Sequence, residues 1–151
     1  LFKKKKFPVT ILRFYLVYGP YQSKNRVVPI TISNALKDNN FDCSEGKQLR
    51  DFIYIDDAIR AIIKSLRCKK ASGEIINIGS GKQTKIKDII IKICKLVGSG
   101  NPRFGIIKLR KDEMMSLYPD ILKAEKIIKW KPKIELNTGL KKTIKYYKKN
   151  E

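Results

Sequence analysis

The sequence predicts an α/β fold in which strands and helices alternate around a parallel sheet. Two segments, at 8–18 and 74–79, are rich in Val, Ile, Thr and aromatic residues and do not alternate apolar with polar positions. That composition is typical of strands covered on both faces in a parallel sheet. Segments with a helical apolar period follow them, which predicts α/β layering with the end of a doubly wound sheet and a small additional lobe.

The first half of the chain begins with the strand at 8–18, which a Gly-Pro turn at 19–20 ends. A helix is predicted over 27–36, because a proline near its start, Pro29, suits a first helical turn. Short strands are predicted at 41–43 and 52–55, separated by turn residues.

Capping residues place the next two helices. Asp56 or Asp57 is expected to cap a helix that runs to Leu66, and Thr84 is expected to cap another that ends at Gly98. Both segments carry apolar residues at helical spacing. The strand at 74–79 lies between them.

The last third is predicted to hold a strand at 104–109, a short amphipathic helix at 121–129 capped by Asp120, and a closing helix at 137–149. The 151 residues suit one domain with its own core.

The formal net charge of +20 predicts attraction to polyanions such as nucleic acid or an anionic membrane surface. Only seven of the 34 basic residues are arginine, and the lysines are scattered along the whole chain. Specific nucleic-acid modules favour clustered arginine with interleaved aromatic residues. Two interpretations therefore stay open: lysines that fill solvated positions, and a basic module that binds a polyanion.

Cysteine and histidine usage excludes several kinds of site. Cys43, Cys68 and Cys94 are widely spaced and the chain has no histidine, so neither a zinc site nor an imidazole-dependent hydrolase can be assembled from it. No run of eighteen uncharged apolar residues occurs, and a cytoplasmic protein is the expectation.

Four sequence blocks occur in a characteristic order: ILRFYLVYGP at 11–20, KQLRDFIYIDD at 47–57, EIINIGSGKQT at 74–84 and DILKAEKIIKWKP at 120–132. In this order and spacing the chain resembles the C-terminal half of the NAD-dependent epimerase/dehydratase family. These extended short-chain dehydrogenases act on nucleotide sugars.

The resemblance implies the C-terminal part of a doubly wound Rossmann-type parallel sheet, interleaved with a small α/β lobe that binds the substrate. Residues 1–151 would then form one partial domain that lacks the N-terminal, cofactor-binding half. The family's Tyr-x-x-x-Lys pair and its glycine-rich dinucleotide turn do not occur, and the GSG at 79–81 follows a strand but lacks the third glycine. We therefore expect no catalytic residue here, no complete NAD or NADP site, and no turnover by the isolated chain; NAD or NADP and a homodimer are expected of the full-length protein.

Two arginines match family positions that contact the substrate diphosphate. Arg50 lies in KQLRDF, and Arg110 lies ten residues before Asp120. A guanidinium can meet a diphosphate bidentately, which a lysine cannot do. A surface ion pair of Arg50 with Asp51 or Asp56, and a solvated Arg110, are the structural alternatives.

Residues 25–27 (Asn25, Arg26 and Val27) match the family segment that contacts the nucleotide, and Cys43 lies in a stretch beside the base as a small wall residue. Leu16 stands where most relatives carry an asparagine that reaches a substrate phosphate. The predicted function is the substrate-binding part of an NAD(P)-dependent nucleotide-sugar epimerase, dehydratase or reductase. A polyanion-binding module and a decayed, truncated gene product are the alternatives.

Overall fold

The computed structural model describes residues 7–150. The strands within this range are β1 (Ile11–Phe14), β2 (Leu16–Tyr18), β3 (Asn40–Asp42), β4 (Leu49–Arg50), β5 (Phe52–Tyr54), β6 (Ile75–Ile78), β7 (Thr84–Lys85), β8 (Asn101–Arg103) and β9 (Ser116–Leu117). The helices are α1 (Val27–Leu36), α2 (Ile55–Leu66), α3 (Ile86–Val97), α4 (Leu122–Ile128) and α5 (Leu136–Asn150). A single 3-10 turn follows α2 at Lys69–Ala71.

The predicted first strand is present but divided, because it changes partner at Tyr15. β1 pairs in parallel with β6, and β2 pairs in parallel with β5. The Tyr15 amide donates to Ile78 O at 3.1 Å and the next amide, that of Leu16, donates to Asp51 O at 3.0 Å. Successive amides of a strand point to opposite sides, so β6 and β5 flank opposite edges of this segment.

The expectation that this strand is covered on both faces is wrong for β1. Ile11 is 50% exposed, its partner Ile75 of β6 is 46% exposed, and Phe14 is 38% exposed. Ile11 and Ile75 lie on one face of the β1–β6 pair and Phe14 lies on the other, and within the described residues this pair has no third strand. The apolar composition of β1 predicted that both of its faces are buried, but the described residues leave some of its apolar side chains exposed.

Two apolar cores lie on the two sides of β5. Phe52 and Tyr54 pack into a core with α1, α3 and α5, whereas Ile53 packs into a second core with β6, α2, α4 and Trp130. Side chains of a strand alternate between faces, so three consecutive buried residues serve both cores. β5 is therefore the structural centre of the fold.

The predicted aspartate cap of α2 is wrong. The helix begins at Ile55, and Tyr54 before it makes no side-chain capping bond. Asp57 is instead fully buried, and its Oδ2 accepts the backbone amides of Lys133 and Ile134, both at 2.9 Å. Arg60 pairs with the same carboxylate. Asp57 therefore fastens the chain ahead of α5 to α2.

Two other expectations are wrong, and a third is confirmed. Thr84 does not cap α3; it pairs in β7, and the helix starts two residues later. Residues 104–109 are not a strand, because the extended segment lies earlier, in β8, and pairs with β3. Asp120 is confirmed as a cap of α4, because its carboxylate accepts the amide of Leu122, the first residue of the helix, at 2.7 Å.

The helix predicted over 27–36 is confirmed with the same bounds. The closing helix is confirmed and is one residue longer at each end than predicted. Among the residues from 7 to 150, no helix is both long and apolar enough to cross a bilayer.

Candidate nucleotide-sugar site

The carboxylate of Asp51 organises one side of the candidate site. Asp51 is fully buried between β4 and β5, and it accepts the Ser80 amide at 2.6 Å and the Ser80 hydroxyl at 3.0 Å. Burial raises the pKa of this carboxyl, while backbone hydrogen bonds from Ser80, Gly81 and Lys82 act in the opposite direction. The loop after β6 is thereby tied to the strand pair that carries Arg50.

This arrangement decides the role of the glycine-rich turn at 79–81. A phosphate-binding turn offers its free amides to the ligand. Here the amides are directed at the buried carboxylate of Asp51. A Cβ on Gly79 would lie 2.5 Å from Pro119 Cγ and 2.9 Å from Asp51 Oδ1, so this glycine serves close packing. The turn does not fit a dinucleotide pyrophosphate.

Arg50, the first of the two arginines predicted to contact the diphosphate, is held in a defined orientation. It lies on β4, and its side chain is only 12% exposed. Its Nη1 donates to Leu49 O at 2.8 Å, and its Nη2 pairs with the carboxylate of Glu113. The alternative ion pairs with Asp51 or Asp56 do not form.

The segment that carries Arg110 is brought to Arg50 by backbone pairing and by Glu113. The Leu49 amide donates to Met115 O at 2.8 Å, and β9 continues that pairing beside β4. The Glu113 amide donates to Arg110 O at 3.2 Å. Arg110 itself is exposed. The two predicted arginines therefore belong to one connected unit, in which Arg50 is largely covered and Arg110 is exposed.

A cleft of about 440 Å³ lies beside the end of β2 and the start of α1. Asn25, Arg26 and Val27 line it, as does Leu16. Asn25 and Arg26 are exposed and form a polar rim, whereas Val27 is half-buried and belongs to the apolar floor. The structure therefore brings the three predicted nucleotide-contacting residues together at one cavity.

Gln22 is a residue of this cleft that the sequence did not single out. Its Nε2 donates to Val17 O at 2.6 Å, and its backbone oxygen accepts the hydroxyl of Tyr147 at 3.0 Å. Its side-chain oxygen is buried and has no hydrogen-bond partner among residues 7–150. A buried acceptor without a partner is costly unless a ligand or water satisfies it. Only the folding of the Tyr-Gly-Pro turn places it there.

Cys43 lies apart from the residues that line the cleft. It follows β3, is 7% exposed, and its amide donates to Arg103 O at 2.9 Å. Burial raises the pKa of its thiol, with the neighbouring Cys94 as the next cause. The thiol is therefore protonated and packs as a small apolar group, and no cluster of metal-ligating side chains occurs in the described part of the chain.

Comparison with known proteins agrees with the fold and with the four sequence blocks. UDP-glucuronate 4-epimerase of Thermodesulfobacterium geofontis is 33% identical over 144 residues, which are 94% of this chain and 44% of that protein. The dTDP-D-glucose 4,6-dehydratase of Mus musculus is 34% identical over 98% of this chain and 43% of its own length. The chain thus spans less than half the length of these relatives.

A solved structure supports the fold class. UDP-glucuronic acid 4-epimerase from Bacillus cereus, in complex with UDP-glucuronic acid and NAD, matches 99% of this chain and 48% of its own with a TM-score of 0.91 at 35% identity. The predicted part of a Rossmann-type α/β fold is therefore confirmed. The sequence pattern of the NAD dependent epimerase/dehydratase family matches residues 2–79, slightly more than half of the chain. By these matches the chain belongs to the NAD dependent epimerase/dehydratase family.

Proposed function

We propose that this chain forms the substrate-binding part of an NAD(P)-dependent nucleotide-sugar epimerase, dehydratase or reductase. The observation that carries the proposal is the side chain of Arg50, which is only 12% exposed and is oriented by Leu49 O and Glu113. An exposed arginine could serve solubility alone. A nearly buried one that keeps free donors is suited to a fixed anion.

The proposed roles follow from the family positions that these residues match. Arg50 binds the diphosphate, and Arg110 approaches it from the connected, exposed segment. Asn25, Arg26 and Val27 contact the nucleotide at the cleft, where the free Gln22 oxygen adds one acceptor. Cys43 lies outside the lining of this cleft, and its proposed role is only that of a small apolar wall residue beside the base.

NAD or NADP would supply hydride transfer in the whole protein. The glycine-rich turn of this chain does not fit the cofactor, since its amides are directed at Asp51. The sequence also has no Tyr-x-x-x-Lys pair. We therefore assign no residue of this chain to the cofactor or to proton transfer, and we propose that the chain binds without turnover. A homodimer of the whole protein is part of the same proposal.

The experiment is calorimetric titration of the chain with UDP-glucose and with dTDP-glucose. Arg50→Lys should weaken binding about tenfold, because the ammonium loses the bidentate geometry while keeping the charge. Arg67→Lys, at an exposed position after α2, is the matched control and should leave binding unchanged.

The alternative function, a polyanion-binding module, gives a different result. Binding to a polyanion would survive Arg50→Lys and would fall steeply with added salt. If the sugar nucleotides fail to bind while RNA binds with such a salt dependence, the proposed function is wrong.

A further inference from the structure

We propose that Glu113 is a specificity-determining residue that selects diphosphate diesters over nucleoside diphosphates with a free terminal phosphate. The inference rests on the proposed function, because it assumes that Arg50 meets the diphosphate. It starts from the Arg50–Glu113 ion pair, in which the side chain of Glu113 is 26% exposed and that of Arg50 is 12% exposed.

Within the described residues, the partners of Arg50 use only some of its hydrogen-bond donors, and the others remain for a ligand. A guanidinium has five N–H donors. Among residues 7–150, Leu49 O takes one and the Glu113 carboxylate takes another, which leaves three for a ligand. Glu113 and the ligand would therefore share a single guanidinium.

Sharing fixes the separation between the two anions. A hydrogen bond joins heavy atoms about 2.9 Å apart, so an anion on the free donors lies within about 6 Å of the Glu113 carboxylate. The repulsion at that distance grows with the ligand's charge. It changes the affinity roughly a hundredfold per unit charge at an effective dielectric constant near 20, and partial exposure reduces this to about tenfold.

Sugar nucleotides and nucleoside diphosphates differ in their charge. The diphosphate of a sugar nucleotide is a diester and carries one negative charge on each phosphate. A nucleoside diphosphate ends in a monoester, whose second pKa of about 6 adds nearly one further charge at pH 7.5. Glu113 should therefore disfavour the free nucleoside diphosphate more than the sugar nucleotide.

The loop around Glu113 supports a fixed position for the carboxylate. Its amide closes a turn onto Arg110 O, and the chain two residues later pairs with β4 through Met115 O. The side chain is therefore anchored from both flanks next to Arg50. A solvated, mobile carboxylate would exert a weaker and less specific repulsion.

The experiment measures dissociation constants of UDP-glucose and UDP for the wild-type chain and for Glu113→Gln. The dissociation constant of UDP divided by that of UDP-glucose is the ratio compared between proteins, so the contribution of the glucose contacts cancels. The ratio should fall about tenfold in Glu113→Gln, because the amide keeps the shape but removes the charge. Glu113→Asp, which retains the charge, should keep most of the wild-type ratio.

Glu125→Gln is the matched control, since Glu125 is also ion-paired, with Lys131, and is 28% exposed. Its ratio should equal that of the wild type. An unchanged or larger ratio in Glu113→Gln, with the circular dichroism of the wild type, overturns the inference and leaves the proposed function standing. Absence of saturable binding of either ligand to the wild type overturns both.

A second measurement varies the charge of the ligand. Lowering the pH from 7.5 to 5.5 protonates the terminal phosphate of UDP and leaves the diester charge unchanged. The difference between the ratios of the wild type and Glu113→Gln should narrow several-fold over this interval, because the attraction by Arg50 is common to both proteins. A difference that stays constant or widens contradicts charge selection by Glu113.

Discussion

Asp51 should be among the most important polar residues for stability, and Asp51→Ala tests this directly. The carboxylate accepts the Ser80 amide at 2.6 Å and the Ser80 hydroxyl at 3.0 Å in a fully buried position. Hydrogen bonds to a charged group contribute about 1.5–3 kcal/mol each. Removing both acceptors should therefore lower the free energy of unfolding by about 3–5 kcal/mol.

Asp51→Asn keeps the shape and one acceptor oxygen, so it should cost about 1–2 kcal/mol. The control is Asp56→Ala, because Asp56 is exposed and lies 3.8 Å from Lys142. A pair of that kind contributes about 0.5 kcal/mol or less. The assay is urea denaturation followed by the fluorescence of Trp130, the single tryptophan.

The pH dependence has a defined sign. Burial raises the pKa of the Asp51 carboxyl in the folded chain. Its stabilising contribution is then full below the unfolded value of about 3.9 and declines as the pH rises through the folded value. The advantage of the wild type over Asp51→Asn should shrink as the pH rises. A loss below about 1 kcal/mol for Asp51→Ala would refute the anchoring role of this carboxylate.

Two further predictions concern Trp130 and the cysteines. Trp130→Phe should lower the free energy of unfolding by about 1–2 kcal/mol, because the variant loses the hydrogen bond from Nε1 to Asp57 O at 3.1 Å and leaves a small cavity. Urea denaturation followed by circular dichroism measures this loss, and an unchanged midpoint would contradict the prediction. In iodoacetamide labelling at pH 8, Cys43 should be alkylated after Cys68, since it is buried and its thiol pKa is raised. Peptide mass mapping over time gives the order, and early labelling of Cys43 would count against the buried position.

Local sequence patterns predicted the elements whose signals are local. The helix at 27–36 and the helix end at Gly98 follow from short-range chemistry, and Gly98 adopts a φ of +95° there. The four ordered sequence blocks also identified the family and the fold class.

The errors have a shared physical cause, which is competition from distant partners. Asp57 has the residue type of a helix cap, yet amides more than seventy residues away take its carboxylate. Thr84 likewise enters a strand because β4 lies beside it. No pattern within a short window reports such partners.

In the candidate site, too, the sequence predicted individual residues but not their distant partners. The sequence identified Arg50 and the cleft residues at 25–27, but not the carboxylate of Glu113 that orients Arg50, because 63 residues separate them. Gln22 was also missed, since its free oxygen becomes visible only once the turn after β2 has folded. Pairing between remote positions is a property of the fold.

The central claim is that Arg50 forms part of a diphosphate-binding site. The most direct measurement is a phosphorus NMR titration of UDP-glucose with the chain, because it reports on the two phosphates themselves. We expect both resonances to shift saturably with the wild type and to shift far less with Arg50→Lys at the same concentration. Equal shifts for both proteins, or none for either, would contradict the account.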